Sequence, residues 1–342
     1  MERELLFLFN DYFQTHACQI TALKGDGSDR KIYRISDSRI SVIGIWGPNR
    51  AENNAFVGFS RHFERDALPV PHIYCYEEAQ GLYLEEDLGD ITLFDWMNAE
   101  RCSENFESKK VDLYSQVLDF LPRFQIESGR RIDFSLCCQT ETFAAEAIRF
   151  DWAYFKRTFL QHFTSKPWDA AALDDDLQIL IQRLLVEKPN YFLYRDFQSR
   201  NIMLHNHQLY FIDYQSGRRG ALQYDLAALL YDPNAELDET NREGLIELYL
   251  LKADRYIKLN HRRFIKYFND FALIRVLQAL AAFTFLSYDK NKQYFLRSIP
   301  PALENITLLY AKSDAFKQMK TLARIFFDDI MQNDRVMQKV QS

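Results

Sequence analysis

The chain has 342 residues of ordinary globular composition, a net charge of −6 and a pI near 5.7. This length exceeds one average domain, so two lobes around a sizeable core are expected, and the acidic balance argues against a nucleic-acid-binding surface. Five cysteines, Cys18, Cys75, Cys102, Cys137 and Cys138, form an odd set without a CxxC pair and read as reduced thiols of a cytoplasmic protein.

The acidic, amphipathic start MERELLFLFNDYFQTH lacks the cationic n-region and cleavage site of a secretory signal. It predicts a helix over Glu2 to Phe13, followed by a strand over Ala17 to Lys24. The segment GDGSDR comes next, with Gly25 and Gly27 permitting a turn whose amides point together at an anion. By itself such a turn more often only joins two strands. Lys31 to Ser36 and Arg39 to Trp46 read as an antiparallel hairpin, and apolar residues at helical spacing predict a helix from Arg50 to Arg65. VPHIYCYEEAQGLYLEEDLGD then supplies two strands around a Gln80-Gly81 turn.

After Gly89 helices dominate. Thr92 is placed to cap a short helix through Met97, and Phe106 to Phe124 forms another that Pro122 kinks or ends. Phe143 to Phe163 and Asp174 to Val186 follow. Beyond Pro233 four helical segments are expected: Glu239 to Lys252, His261 to Leu286, Ser287 to Leu296 and Glu304 to Asp329. The most apolar stretch, Ala272 to Leu286, is shorter than the roughly 20 residues of a membrane span and contains Arg275 and Gln278, so it reads as a buried helix with no membrane partner. The division expected is a mostly β lobe over residues 1–88 and a mostly helical lobe over residues 89–342.

Chemistry concentrates between Tyr191 and Pro233. Two apolar runs, Asn201 to Leu204 and Leu209 to Ile212, flank the turn HNH and predict a hairpin. Asp196 and Asn201 stand five positions apart before it, and Asp213 follows Asn201 by twelve. Phosphoryl transfer from ATP needs a carboxylate near the acceptor together with a carboxamide and a second carboxylate on a magnesium ion, and these residues meet that need. Each alone is more simply structural; their conjunction around one hairpin points to catalysis.

At these residues the chain resembles a known family. YRDFQSRN, then FIDYQSG, then YDLAALLYD look like the aminoglycoside phosphotransferase and choline kinase superfamily, the small-molecule branch of the protein-kinase-like fold. RDFQSRN, IDYQ and LEEDLGD are most similar to kinases acting on the anomeric hydroxyl of N-acetylmuramate and N-acetylglucosamine. The resemblance runs from about Gly25 to Asp232 and implies an α+β, bilobal protein-kinase-like fold with a small antiparallel β N-lobe and a larger helical C-lobe. It further implies ATP and Mg2+ as cofactors and a small-molecule substrate.

Position by position, the resemblance makes Asp196 the catalytic base and Asn201 and Asp213 the magnesium ligands. Gly25, Asp26, Gly27, Ser28 and Asp29 form the loop over the phosphates, and Glu86, Asp87 and Leu88, with Glu85, the hinge meeting adenine. Asp225 resembles the aspartate that caps its helix and braces the catalytic loop. Tyr194 stands where many relatives have histidine. The strand Arg39 to Trp46 lacks the usual kinase lysine; Gly44 takes the expected position, leaving Glu52 as a helix glutamate without its partner and Arg30, Lys31 or Arg34 as candidate cations.

Gln198 and Arg200 either face substrate or satisfy loop carbonyls. Glu146, Phe150 and Trp152 lie where substrate pockets form in this fold, although aromatics there are more often core than sugar-stacking platforms. His205 and His207 read as a surface turn rather than a metal site. Asp174 to Asp176 suit a helix N-terminus, yet with Asp232, Glu236, Asp238 and Glu239 they could attract a polycationic aminoglycoside. Aminoglycosides and choline-type amines therefore remain alternative acceptors, and a non-catalytic nucleotide-binding module remains the alternative outside the enzyme class.

Overall fold

A computed structural model describes residues 1–17, 19–23 and 29–333. The amino-terminal lobe is a five-stranded antiparallel sheet in the order β1-β2-β3-β5-β4, made of β1 (Gln19–Leu23), β2 (Lys31–Ser36), β3 (Ser41–Trp46), β4 (Ile73–Glu77) and β5 (Leu82–Glu86). Helices α1 (Glu2–Phe13) and α2 (Arg50–Arg65) flank it. Because strand side chains alternate, β3 presents Val42 to one cluster, with Leu5 and Phe9 of α1, and Ile43 and Ile45 to the main core with α2. Leu5 and Phe9 are fully buried, each stabilising this edge of the fold by roughly 1.5–3 kcal/mol. Both faces of the sheet are thus covered, which explains why β3 is apolar from Val42 onward.

Gly44 faces α1, not the space between the lobes. A Cβ built there stands 2.7 Å from Ile35 Cδ1, 3.3 Å from Leu5 Cδ2 and 3.4 Å from Leu84 Cδ2. The expectation that Gly44 takes the place of the kinase lysine is therefore corrected: Ile45 is the β3 side chain that reaches the cleft.

The remainder is mostly helical. Thr92 caps α3 (Leu93–Glu100) in a reciprocal box with Asp95. Helix α4 (Phe106–Pro122) ends at its proline, as a residue without an N–H dictates, and the chain continues as a π-helical turn over Arg123–Ser128. Helix α5 (Ala145–Phe155) passes through a second π-helical turn into the short α6 (Gln161–Phe163). Asp169 caps α7 (Ala170–Leu184), so Asp174 to Asp176 lie within the helix rather than at its start, and Asp176 is buried, accepting from the amide of Leu322.

Two short strand pairings follow: β6 (Tyr191–Leu193) with β9 (Arg218–Gly220), and the hairpin β7 (Ile202–His205) with β8 (Gln208–Phe211). Helices α8 (Gln223–Leu230), α9 (Glu239–Ala253), α10 (His261–Tyr288), α11 (Ile299–Lys312) and α12 (Lys320–Asp328) complete the lobe. Two expectations change here. Residues 287 and 288 extend α10 and a 3-10 segment, Gln293–Ser298, replaces the helix expected after it, while the last long helix divides into α11 and α12. At 28 residues α10 is long and apolar enough to cross a membrane, but it lies largely buried among the other helices. No disulfide joins the cysteines among the described residues.

Between the lobes, Arg34 of β2 holds Asp87 through Nε (2.8 Å) and Nη2 (2.9 Å) and reaches Asp90 at 2.8 Å, while Ser41 also donates to Asp87. His205 Nδ1 lies 2.9 Å from the Leu88 carbonyl, joining the β7–β8 hairpin to the same connection.

Candidate active site

The two lobes enclose a cleft of about 700 Å³, the range of small-molecule sites. Asp196, Gln198, Arg200, Asn201 and Asp213 enter it from the loops around the β7–β8 hairpin, and Asp29, Arg30, Glu52 and Glu85 from the amino-terminal lobe.

The loop bearing Asp196 is held from beneath. Arg195 has a positive φ of 85°, uncommon for a residue with a side chain, and its neighbours fix it there. Its Nη2 meets Asp151 Oδ1 at 2.6 Å, its Nη1 donates to the Tyr224 hydroxyl at 2.5 Å, and its amide donates to Asp225 Oδ1 at 2.9 Å. Asp225 also accepts the Tyr194 amide at 2.8 Å and Gln125 Nε2 at 3.0 Å. Asp225 therefore braces the loop, but it does not cap α8, which starts at Gln223 without a side-chain cap. Tyr194, fully buried, donates its hydroxyl to the Ile212 carbonyl at 2.6 Å, tying the loop to the segment before Asp213.

Asn201 spends its amide nitrogen on the Asp196 carbonyl at 2.8 Å and on Asp213 Oδ2 at 3.3 Å, and among the described residues its carbonyl oxygen accepts no hydrogen bond. Gln215 donates to Asp213 Oδ1 at 2.7 Å, and Asp213 itself adopts a positive φ of 69°. Among the described residues no cluster of three His, Cys, Asp or Glu side chains could hold a metal. This donor set of one carboxylate and one carboxamide suits magnesium, which keeps waters and shares phosphate oxygens rather than filling an all-protein cage. Burial raises the Asp196 pKa above the usual carboxylate value, with Arg275 and Arg195 opposing the shift and Asp213 adding to it.

Of the three candidate cations, only Arg30 lines the cleft. Lys31 is exposed and Arg34 is committed to Asp87 and Asp90. The Arg30 guanidinium lies 5.6 Å from the Phe56 ring centre on α2. Burial opposes its charge, but Tyr83, Asp213, Glu52 and Glu85 outweigh that cost and raise its pKa. Glu52 is held by Asn49, which caps α2 and donates to Oε1 at 2.9 Å.

Several expected contacts lie elsewhere. Gly25, Asp26, Gly27 and Ser28 fall outside the described residues, and Asp29 pairs with Lys290 at 3.1 Å across the cleft mouth. Glu86, Asp87 and Leu88 do not line the cleft, whose wall stops at Glu85: Glu86 accepts from the His72 amide, Asp87 is consumed by Arg34 and Ser41, and Leu88 is buried. Glu146 is exposed on α5 and Phe150 projects outward, while Trp152 is core, which removes Glu146 from the substrate wall. Arg200 is stacked between Phe94 at 3.5 Å and Phe295 at 5.2 Å.

Sequence reasoning missed Tyr83, Gln215, Arg275 and Gln278, all of which line the cleft. Gln215 was within reach, standing inside the phrase FIDYQSG. Tyr214 beside it stacks on Phe56 at 5.0 Å, and its hydroxyl is 2.5 Å from Ser60 Oγ, both partners lying on α2.

The chain is similar to several known kinases and phosphotransferases. A protein named N-acetylmuramate/N-acetylglucosamine kinase, from Pseudomonas putida, is 24% identical over 301 residues, covering 86% of this chain and 84% of its own length. Choline kinase LicA from Streptococcus pneumoniae superposes with a TM-score of 0.57 at 14% identity, over 90% of this chain and 99% of that one. The ADP-bound aminoglycoside phosphotransferase APH(2'')-Ib gives 0.55 at 14% identity, over 92% and 99%. These structural likenesses carry the fold, bilobal and protein-kinase-like, with an antiparallel N-lobe and a helical C-lobe. Residues 19–259 match the phosphotransferase enzyme family, and the chain belongs to that family as a phosphotransferase acting on an alcohol group.

Proposed function

We propose that the protein transfers the γ-phosphate of ATP, with Mg2+, to the anomeric hydroxyl of N-acetylmuramate or N-acetylglucosamine in the cytoplasm. The observation that carries the reading is the convergence of Asp196, Asn201 and Asp213 on one cleft opposite Arg30 and Glu52. In this reading residues 1–88 bind the nucleotide and residues 89–342 carry the acceptor and catalytic groups. Asp196 orients the acceptor hydroxyl and takes its proton as the bond to phosphorus forms. An anomeric hydroxyl is more acidic than an ordinary alcohol, so a carboxylate suffices as base. Asn201 and Asp213 would hold magnesium, which when bound would offset the negative charge of the phosphates. Arg30, steadied by Glu52, supplies the phosphate-binding cation that a lysine on β3 would otherwise provide.

The charge of the acceptor side favours a sugar over a polycationic aminoglycoside. Asp232 is engaged by Ser199 and Asn234, Glu236 by Arg101, and Glu239 by Lys312 and Arg242, while Asp238 caps α9. Those carboxylates are occupied, whereas Arg275 and Arg200 face the cleft. The test is a coupled ADP-release screen against both sugars, an aminoglycoside panel and choline. The two sugars are expected to turn over and Asp196→Ala to remove the activity; turnover of aminoglycosides or choline alone overturns the sugar assignment, and nucleotide binding without ADP release overturns the enzyme reading.

A further inference from the structure

The long helix α10 brings a cation into the cleft that phosphoryl transfer itself does not require. Arg275 is 5% exposed. Its Nη2 donates to Gln198 Oε1 at 3.4 Å, while its Nε and Nη1 have no hydrogen-bond partner among the described residues. Asp196 and Arg275 act on each other electrostatically without forming an ion pair, and Asp232, the other carboxylate of this wall, is taken up by Ser199 and Asn234. A buried guanidinium without a paired anion is costly. Its fork of donors matches a carboxylate in a way that an ammonium does not. Three residues further along the same helix, Gln278 also lines the cleft, with its Oε1 unpartnered.

We infer that Arg275 reads a carboxylate on the acceptor, so that the cleft prefers an acidic amino sugar over its neutral counterpart; this rests on the sugar-kinase reading above. Of the two candidate sugars, N-acetylmuramate carries such a carboxylate on its lactyl ether and N-acetylglucosamine does not. The transferring phosphoryl group is the other anion that could enter. Its partners gather on the sheet side, where Arg30 and Glu52 face Asp213 and Gln215, whereas Arg275 belongs to the helical side and meets the loop through Gln198. Gln278 then accepts from the amide N–H of the acetamido group that both sugars share.

Full-length wild type, Arg275→Met and Gln278→Leu are compared for kcat and KM on both sugars with saturating ATP and magnesium. Arg275→Met is expected to raise KM for N-acetylmuramate roughly 10- to 100-fold, the value of a charge-assisted pair, while KM for N-acetylglucosamine stays within about threefold and kcat falls alike on both sugars because Arg275 also favours the charged form of Asp196; Gln278→Leu is expected to weaken both alike. Equal rises of KM on both sugars, or no change of KM on either, overturn the proposal. Because no ion pair holds Arg275 among the described residues, Arg275→Met is also expected to melt no lower than wild type, and a large drop in Tm identifies a structural arginine instead. Should neither sugar be phosphorylated, calorimetry with their methyl glycosides still decides. A wild-type preference for the acid that Arg275→Met abolishes sustains the site although the kinase assignment has failed, and equal binding overturns it.

Discussion

Replacing Asp225 by alanine is the sharpest probe of how the catalytic loop is held. The side chain is 0% exposed and accepts from the amides of Tyr194 and Arg195 and from Gln125 Nε2. Gln125 keeps a second acceptor in the Leu222 carbonyl at 3.2 Å, so two buried amides lose their partner. Each costs about 1–3 kcal/mol, giving about 2–6 kcal/mol in all. The cost depends on pH, because burial, outweighing these hydrogen bonds, pushes the Asp225 pKa from 3.8 up to about 6. A raised folded-state pKa contributes stability that is complete below the unfolded value and lost as pH rises through the folded one. The variant lacks this contribution, so its deficit grows toward acid. The shift of 6 − 3.8 units corresponds to roughly 3 kcal/mol in total, of which about 1 kcal/mol is lost between pH 5 and 7.5. Urea unfolding at these two pH values measures both quantities, and kcat is expected to fall with the loop's order. A variant within about 1 kcal/mol of wild type, or two unfolding curves parallel in pH, refutes the brace.

Arg30→Met is expected to raise KM for ATP about 10- to 100-fold, with Arg30→Lys recovering part of the loss; an unchanged KM removes Arg30 from nucleotide binding. Burial pushes the Glu85 pKa up to about 8, with Arg30 opposing. Its folded form therefore holds a proton from the unfolded pKa of 4.5 up to about 8, and stability declines as pH rises through that window. Glu85→Gln should flatten the Tm profile between pH 5 and 9, and parallel profiles would contradict the burial. Gly44→Lys, the repair that the sequence suggests, is expected to destabilise by about 1–3 kcal/mol or more through overpacking against Ile35 and Leu5 and to leave KM for ATP no lower; a lowered KM would mean that the side chain reaches the cleft after all.

What the sequence made legible follows the range of the forces involved. The β7–β8 hairpin, the α2 stripe and the Thr92 cap are local patterns, and each element formed within a few residues of its expected span. Gly44 was misread because α1 and α2 cover both faces of the sheet, leaving β3 without the polar alternation that marks an outward side. Arg275 was seen only as a reason against a membrane span, since an isolated arginine in an apolar helix carries no sign of the loop 77 residues away that it meets through Gln198. Glu146 failed for the opposite reason: a helix places one face toward a site and the other toward water, and the spacing of aromatics around it did not say which. The hinge residues Glu86 to Leu88 were legible as a connection, but the Arg34 pairing that withdraws Asp87 joins residues 53 apart.

Tyr214 has a consequence for how the protein can be governed. In protein-kinase-like folds the packing of the aromatic residue after the metal-binding aspartate separates working from idle conformations. Here that ring is stacked on Phe56 and its hydroxyl is bonded to Ser60, so swinging it out breaks a buried hydrogen bond and an aromatic contact together. At about 2–4 kcal/mol for the pair, the idle state holds only about 3% to 0.1% of the molecules. Nearly every molecule therefore keeps the ring after Asp213 packed against α2, and the residues beside it in the cleft stay in one arrangement.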